Sequence, residues 1–171
     1  MFLDYWEARG GLTRFGYPRT QEFVEYDPVV KASYRVQYFE RARFEYHPEY
    51  AGTESEVLLG HVGRWALSER GVDPWETAVG PTAGTRYFPE SGHTLGGLFL
   101  EYWEDRGGLV RFGYPLSEEY VELSPEDGQR YIVQYFERAR MEAHRDPETG
   151  EQFVLLGLLG NEMLRSRGWI R

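Results

Sequence analysis

Four polar side chains occur twice at one spacing. Gln37, Arg43, Glu45 and His47 return as Gln134, Arg140, Glu142 and His144, each 97 positions later. On a strand, Arg43, Glu45 and His47 share a face, because side chains alternate sides with period two. Arg and Glu can there give directional hydrogen bonds to hydroxyls or carboxylates. Tyr17 or Tyr38, and Tyr114, which like Tyr17 lies in a Gly-Tyr-Pro turn, would add an apolar platform for a sugar ring or a peptide. A face needed only for solubility has no reason to repeat residue for residue. The competing reading is structural: the same charges, with Glu40 and Arg41, form cross-strand ion pairs or dock on a neighbouring unit.

Catalytic signatures are not found. The chain has no G-x-S-x-G elbow, no H-E-x-x-H, no phosphate-binding loop and no dinucleotide fingerprint. Its zero cysteines remove thiolate nucleophiles and thiolate metal sites. Glu45 with His47, and Glu142 with His144, lack a third ligand at metal-binding spacing, so no metal or other cofactor is expected. Spacing selects no acid/base pair from the 28 carboxylates. The expectation is a non-enzyme, with hydrolysis as the remaining catalytic alternative.

The chain of 171 residues carries 19 basic and 28 acidic side chains, a net charge of −9, with neither a basic half nor a cationic tail. That balance argues against a protein that tracks nucleic-acid phosphates. Hydrophobic residues at 41 % and aromatics at 16 % describe a packed globular protein. The longest apolar run, Phe153 to Gly160, is far short of the ~20 residues that span a bilayer. Asp4 follows too soon after Met1 for a signal-peptide core, so no signal peptide is expected in the chain as given. Among the basic residues only Lys31 is a lysine, a bias that fits a thermophile or a GC-rich genome equally.

The duplication extends well beyond the polar set. Sliding the chain by 97 places sets residues 2–74 against 99–171 without a gap, with 38 of 73 pairs identical. Matched blocks are FLDYWEARGGLTRFGYP with FLEYWEDRGGLVRFGYP, YRVQYFERARFEYH with YIVQYFERARMEAH, and VLLGHVG with VLLGLLG. Differences gather at 26–35 and 48–56, which are read as loops. We therefore expect unit 1 at 1–74 and unit 2 at 75–171, the second opening with GPTAGTRYFPESGHTLGG (80–97). The N-terminus is read as falling inside a repeating unit, as in a trimmed array. A weaker echo at half the period places Tyr87-Phe88 midway between Tyr38-Phe39 and Tyr135-Phe136.

The elements that must position these residues are short. Phe2, Leu3 and Trp6 predict one apolar face of an amphipathic helix, ended by Gly10-Gly11, and Phe99, Leu100 and Trp103 predict its counterpart. Phe15-Gly16-Tyr17-Pro18 predicts a turn, after which Thr20 or Ser117 N-caps a one-turn helix. Alternation from Tyr34 to His47 predicts a hairpin, in preference to a helix through Phe39 to Tyr46. A three-residue loop at Glu40-Arg41-Ala42 would group Tyr34, Val36, Tyr38, Phe44 and Tyr46 on one face and Gln37, Arg43, Glu45 and His47 on the other. A two-residue loop would mix the sets, so the three-residue loop is expected, although Ala42 stands where such loops favour glycine. Trp6 and Trp103 are expected in the core. Trp65, Trp75 and Trp169 have no tryptophan counterpart and cannot belong to a twice-used site.

The blocks GGLTRFGYP, VQYFERARFEYHPE and VLLGHVG, with GPTAGTRYFPESGHTLGG before the second copy, resemble a tandem module of secreted or cell-surface bacterial proteins. Their order is similar to the LGFP repeat, here reading Arg14-Phe15-Gly16-Tyr17-Pro18 and Arg111-Phe112-Gly113-Tyr114-Pro115. The resemblance implies an extracellular or cell-envelope location, binding to cell-wall polysaccharide or peptidoglycan, and a catalytic domain attached elsewhere in a longer parent. The combined expectation is an α+β tandem repeat of short amphipathic helices and β-hairpins. Its function is read as non-catalytic glycan binding, with a structural or protein-interaction array as the alternative. No nucleic acid and no membrane span are expected.

Overall fold

The computed structural model describes residues 1–27 and 31–171. In chain order they form α1 (Phe2–Ala8), α2 (Gly11–Phe15), β1 (Phe23–Asp27), β2 (Ala32–Tyr38), β3 (Arg43–Tyr46), a 3-10 turn (Pro48–Tyr50) and β4 (Val57–Leu59). There follow α3 (Val62–Glu69), β5 (Arg86–Phe88), β6 (His93–Leu95), α4 (Gly97–Asp105) and α5 (Gly108–Phe112). The chain ends with β7 (Tyr120–Leu123), β8 (Arg130–Tyr135), β9 (Arg140–Arg145), β10 (Gln152–Leu156) and α6 (Leu159–Ser166). The fold is α+β, with three antiparallel sheets: β1-β2-β3-β4, β10-β9-β8-β7 and β5-β6. Among the described residues no helix is long and apolar enough to cross a membrane.

The chain makes two compact units, one of 1–62 with 158–171 and one of 63–157. This division differs from the boundary expected at 74/75. Two helices account for the difference. Helix α3 follows the sheet of unit 1 but from Gly63 onward belongs to unit 2, and α6 follows the sheet of unit 2 but belongs to unit 1.

In unit 1, α1 forms where the apolar spacing predicts it, but only Phe2 is fully buried, while Leu3 is 63 % exposed and Trp6 half-buried. Gly10 takes a left-handed φ of 111° beyond the end of α1, at little steric cost to glycine. The next residues then turn again as α2, a helix that the Gly-Gly stop and the turn at Phe15-Gly16-Tyr17-Pro18 did not announce. Its Phe15 joins Phe2, Phe39, Ala42, Phe44, Val57 and Leu59 in the core. Four aromatic rings meet there, with Phe15 and Phe44 edge-on at 4.8 Å and Phe39 and Phe44 at 4.2 Å. Such pairs each add about 0.5–1.5 kcal/mol beyond the area they bury. Unit 2 builds the corresponding core from Phe99, Trp103, Phe112, Phe136, Ala139, Met141 and Val154, and adds Phe88 and Leu95 from β5 and β6.

Two local expectations are corrected. Thr20 caps no helix: its Oγ1 accepts from the Tyr38 amide at 3.0 Å, and Ser117 Oγ does the same for Tyr135 at 3.0 Å, so the chain runs extended into β1 and β7. The hairpin register is also the one set aside above. Tyr38 pairs with Arg43, Gln37 with Phe44 and Val36 with Glu45, which closes a two-residue loop at Glu40-Arg41. Ala42 then needs no left-handed backbone, and its φ is not positive. Of the loop expected at 26–35, residues 26–27 and 32–35 are instead paired strand in β1 and β2, and 28–30 lie outside the described residues.

Candidate functional site

The observed register puts Tyr38, Arg43, Glu45 and, from β1, Glu25 on one face of the sheet. Gln37 falls on the opposite face beside Phe44, so the expected four-residue polar face is divided. Charges can sit among apolar neighbours here because each meets a partner, the condition for burying them.

In unit 1 the Arg43 side chain, 8 % exposed, stands 3.1 Å from Glu25 and 3.3 Å from Glu45. These are ion-pair distances without hydrogen-bond alignment at Nε and Nη2. The Tyr38 hydroxyl donates to Glu25 at 2.8 Å. Arg167, just beyond α6, donates to the Tyr38 hydroxyl at 2.8 Å and also pairs with Glu25. Trp169 closes this end, 5.6 Å from Phe23 and 6.2 Å from Tyr38 between ring centroids. At the other end His47 lies 3.4 Å from Glu45 and 2.9 Å from Glu49, with the Tyr34 ring 4.6 Å away.

Unit 2 has the tighter version. Arg140, 1 % exposed, donates from Nε and Nη2 to Glu142 at 2.9 and 2.6 Å and from Nη1 to the Tyr135 hydroxyl at 3.2 Å. Tyr135 in turn donates to Glu122 at 2.9 Å, and Arg70, beyond α3, donates to Glu122 at 3.0 Å. His144 lies 3.1 Å from Glu142, and the Tyr131 ring covers it at 4.0 Å. Burial, above all, pushes the Tyr38 and Tyr135 hydroxyls well above the ordinary tyrosine range, so both remain proton donors at neutral pH.

Glycines of the VLLG segments make room for these networks. A Cβ on Gly60 would lie 2.6 Å from a Glu45 oxygen, and one on Gly157 would lie 2.7 Å from both Arg140 Nε and Glu142 Oε1. The glycines three residues on serve the helices. The Gly63 and Arg64 amides both donate to the Glu137 carbonyl at 3.1 Å, and Asn161 donates to the Glu40 carbonyl at 3.0 Å. A Cβ on Gly63 or Gly160 would lie 1.9 Å from the carbonyl oxygen of Phe136 or Phe39. The Glu-Arg loops have a further duty, since Glu40 accepts from the Tyr17 amide at 3.1 Å and Glu137 from the Tyr114 amide at 3.3 Å.

The sequence-predicted residues are thus placed as follows. Arg43, Glu45 and His47 come together, as do Arg140, Glu142 and His144, inside largely buried networks. Gln37 and Gln134 sit on the helix-bearing side, donating to Thr20 O at 2.9 Å and Ser117 O at 2.8 Å. Tyr17 is 60 % exposed, whereas Tyr114 packs on Phe88 at 5.9 Å. Sequence reading missed Glu25, Tyr38, Arg167 and their counterparts Glu122, Tyr135 and Arg70 as network members. Their signal was present, since all three pairs are identical at the 97-residue offset. Trp169 stands opposite Val72 and carried no such signal.

Chemically, the networks hold paired guanidinium and carboxylate groups and a protonated tyrosine. Among the described residues no three His, Asp or Glu side chains gather to hold a metal ion. Comparison with protein-family models, curated proteins and solved structures gives no match.

Proposed function

We propose that this chain is a non-catalytic repeat module in which one building block of about 97 residues is used twice, acting as a structural and protein-interaction array. In this proposal it belongs to a bacterial cell-envelope or secreted protein and serves as a spacer or docking platform for an attached domain. The observation that carries it is the burial of Arg43 and Arg140 among carboxylates of their own units. Residues repeated because they hold a shape need no ligand to explain their repetition. The matching registers of the two four-stranded sheets support the duplicated building block. The return of the chain to unit 1 in α6 supports a building block that is closed by residues following the next sheet.

The exposed Tyr17 beside half-buried Trp6 supports a second reading, recognition of cell-wall polysaccharide or peptidoglycan on an aromatic platform. Co-sedimentation with purified cell-wall sacculi and insoluble polysaccharides separates the two. The array reading predicts that the chain stays in the supernatant with every polymer. Pelleting that Tyr17→Ala removes would replace it with the glycan reading.

A further inference from the structure

In unit 2 the segment that carries β5 and β6 lies across one face of α4 and β8. Phe88 meets the Trp103 ring edge-on at 5.6 Å and the Tyr114 ring at 5.9 Å, and Arg86 sits 5.2 Å over Trp103 while pairing with Glu104 at 3.3 Å. Gln134 donates to the Thr94 carbonyl at 2.7 Å. Glu118 accepts from the Thr94 amide at 2.9 Å and from its hydroxyl, and lies 3.2 Å from His93. Beneath this strap Trp103, Pro115, Leu116, Ser117 and Gln134 are buried.

Unit 1 has matching receiving residues, and among the described residues no segment equivalent to 85–96 lies on them: Trp6, Glu7, Tyr17, Pro18, Thr20 and Gln37 stand at the positions of Trp103, Glu104, Tyr114, Pro115, Ser117 and Gln134. Trp6, Thr20 and Gln37 are half-buried, and Tyr17 and Pro18 are exposed. Resting on the array reading, we propose that this face of unit 1 is the docking site for an extended peptide segment of the same chemistry as 85–96. Such a segment supplies an aromatic side chain for the Trp6 and Tyr17 rings, an arginine for Glu7, and a backbone carbonyl for Gln37. The occupied face of unit 2 shows how such a segment is gripped: two edge-on aromatic contacts and a side-chain amide that fixes the register of the peptide backbone.

Three positions differ: Thr20 for Ser117 keeps a hydroxyl, and the other two set the specificity. Gln21 replaces Glu118 and Arg19 replaces Leu116. Gln21 can still accept from an amide or a hydroxyl but offers no charge to a histidine, so the histidine of the segment contributes little on unit 1. The exposed Arg19, 4.0 Å from Glu40, puts a charge where unit 2 has a buried leucine.

The test is a titration of the full chain with a synthetic peptide of sequence 80–97, followed by two-dimensional NMR of the tryptophan indole and glutamine side-chain amides. The proposal expects saturable shifts at Trp6 and Gln37, absent with a peptide whose Phe88 position is alanine. Tyr17→Ala, at an exposed position that tolerates substitution, should weaken binding about tenfold, as should Gln37→Ala. Replacing the His93 position of the peptide by alanine should change affinity less than about twofold. Absence of shifts up to millimolar peptide would overturn the proposal. So would shifts confined to Trp103 and Gln134, which mean exchange with the resident strap, or shifts that grow with protein concentration alone, which mean a second copy. Co-sedimentation on the same sample keeps the outcomes separate: a peptide that fails to bind leaves the array reading standing, whereas polymer binding through Tyr17 removes both.

Discussion

Arg167 donates a 2.8 Å hydrogen bond to the hydroxyl of Tyr38 although 129 residues separate them, and its guanidinium lies 5.4 Å over the same ring. Arg70 likewise lies over the Tyr135 ring, 5.5 Å from ring centroid to guanidinium, and donates to Glu122. Each sheet is therefore completed by residues that follow the other sheet in the chain. Unit 1 cannot be finished until the last residues are present.

A chain ending at Gly157 tests this dependence. It loses the buried Leu159, Met163 and Leu164 together with the Arg167 and Trp169 cover. Each large buried side chain removed costs about 2–5 kcal/mol, so unit 1 should lose most of its stability. Hydrogen exchange read by mass spectrometry should show protection lost over 32–46 and retained over 130–156.

Backbone approach at the helix starts gives a second prediction. Gly63→Ala and Gly160→Ala each drive a methyl group against a carbonyl oxygen 1.9 Å away, and each should cost more than about 3 kcal/mol in urea unfolding. Gly80→Ala, where a Cβ meets nothing within 4 Å, should stay within about 0.5 kcal/mol.

Alkaline pH supplies a third. Tyr38 and Tyr135 have raised folded-state pKa values, chiefly because burial disfavours the phenolate. A raised folded pKa favours the protonated form in the native state, so this contribution is complete below the unfolded value near 10. It is lost as pH rises from there toward the folded values, at up to about 1.4 kcal/mol per pH unit for each tyrosine. Absorbance titration at 295 nm should show two tyrosines that ionise only as the protein unfolds. Tyr38→Phe with Tyr135→Phe should remove that step.

Much of the architecture was legible because duplication and glycine punctuation report backbone geometry directly. The Gly-Gly stop, the hairpin and the α+β class follow from local steric rules and period-two alternation. The register did not follow, for a physical reason. Alternation assumes that charge faces water, whereas here Arg43 and Glu45 lie on the side of Val36 and Tyr38, because Glu25 supplies the missing partner from another strand. The exposed Leu3 misled in the opposite direction, since helical spacing cannot tell which apolar residue meets the sheet. The site suffered from the same assumption: the recurring polar set was visible, but its burial depends on residues as distant as Arg167, which only the folded chain brings near.

The central claim is that the recurring charges of the hairpins hold the fold rather than a ligand, and thermal unfolding of the Arg43→Ala plus Arg140→Ala chain tests it most directly. Removing one partner of a buried ion pair costs about 3–5 kcal/mol, and a chain of this size loses about 2–4 °C per kcal/mol. The midpoint should fall by more than about 10 °C, with the larger share from the hydrogen-bonded Arg140. A midpoint unchanged to within about 2 °C would contradict the claim and return these arginines to the role of a binding surface.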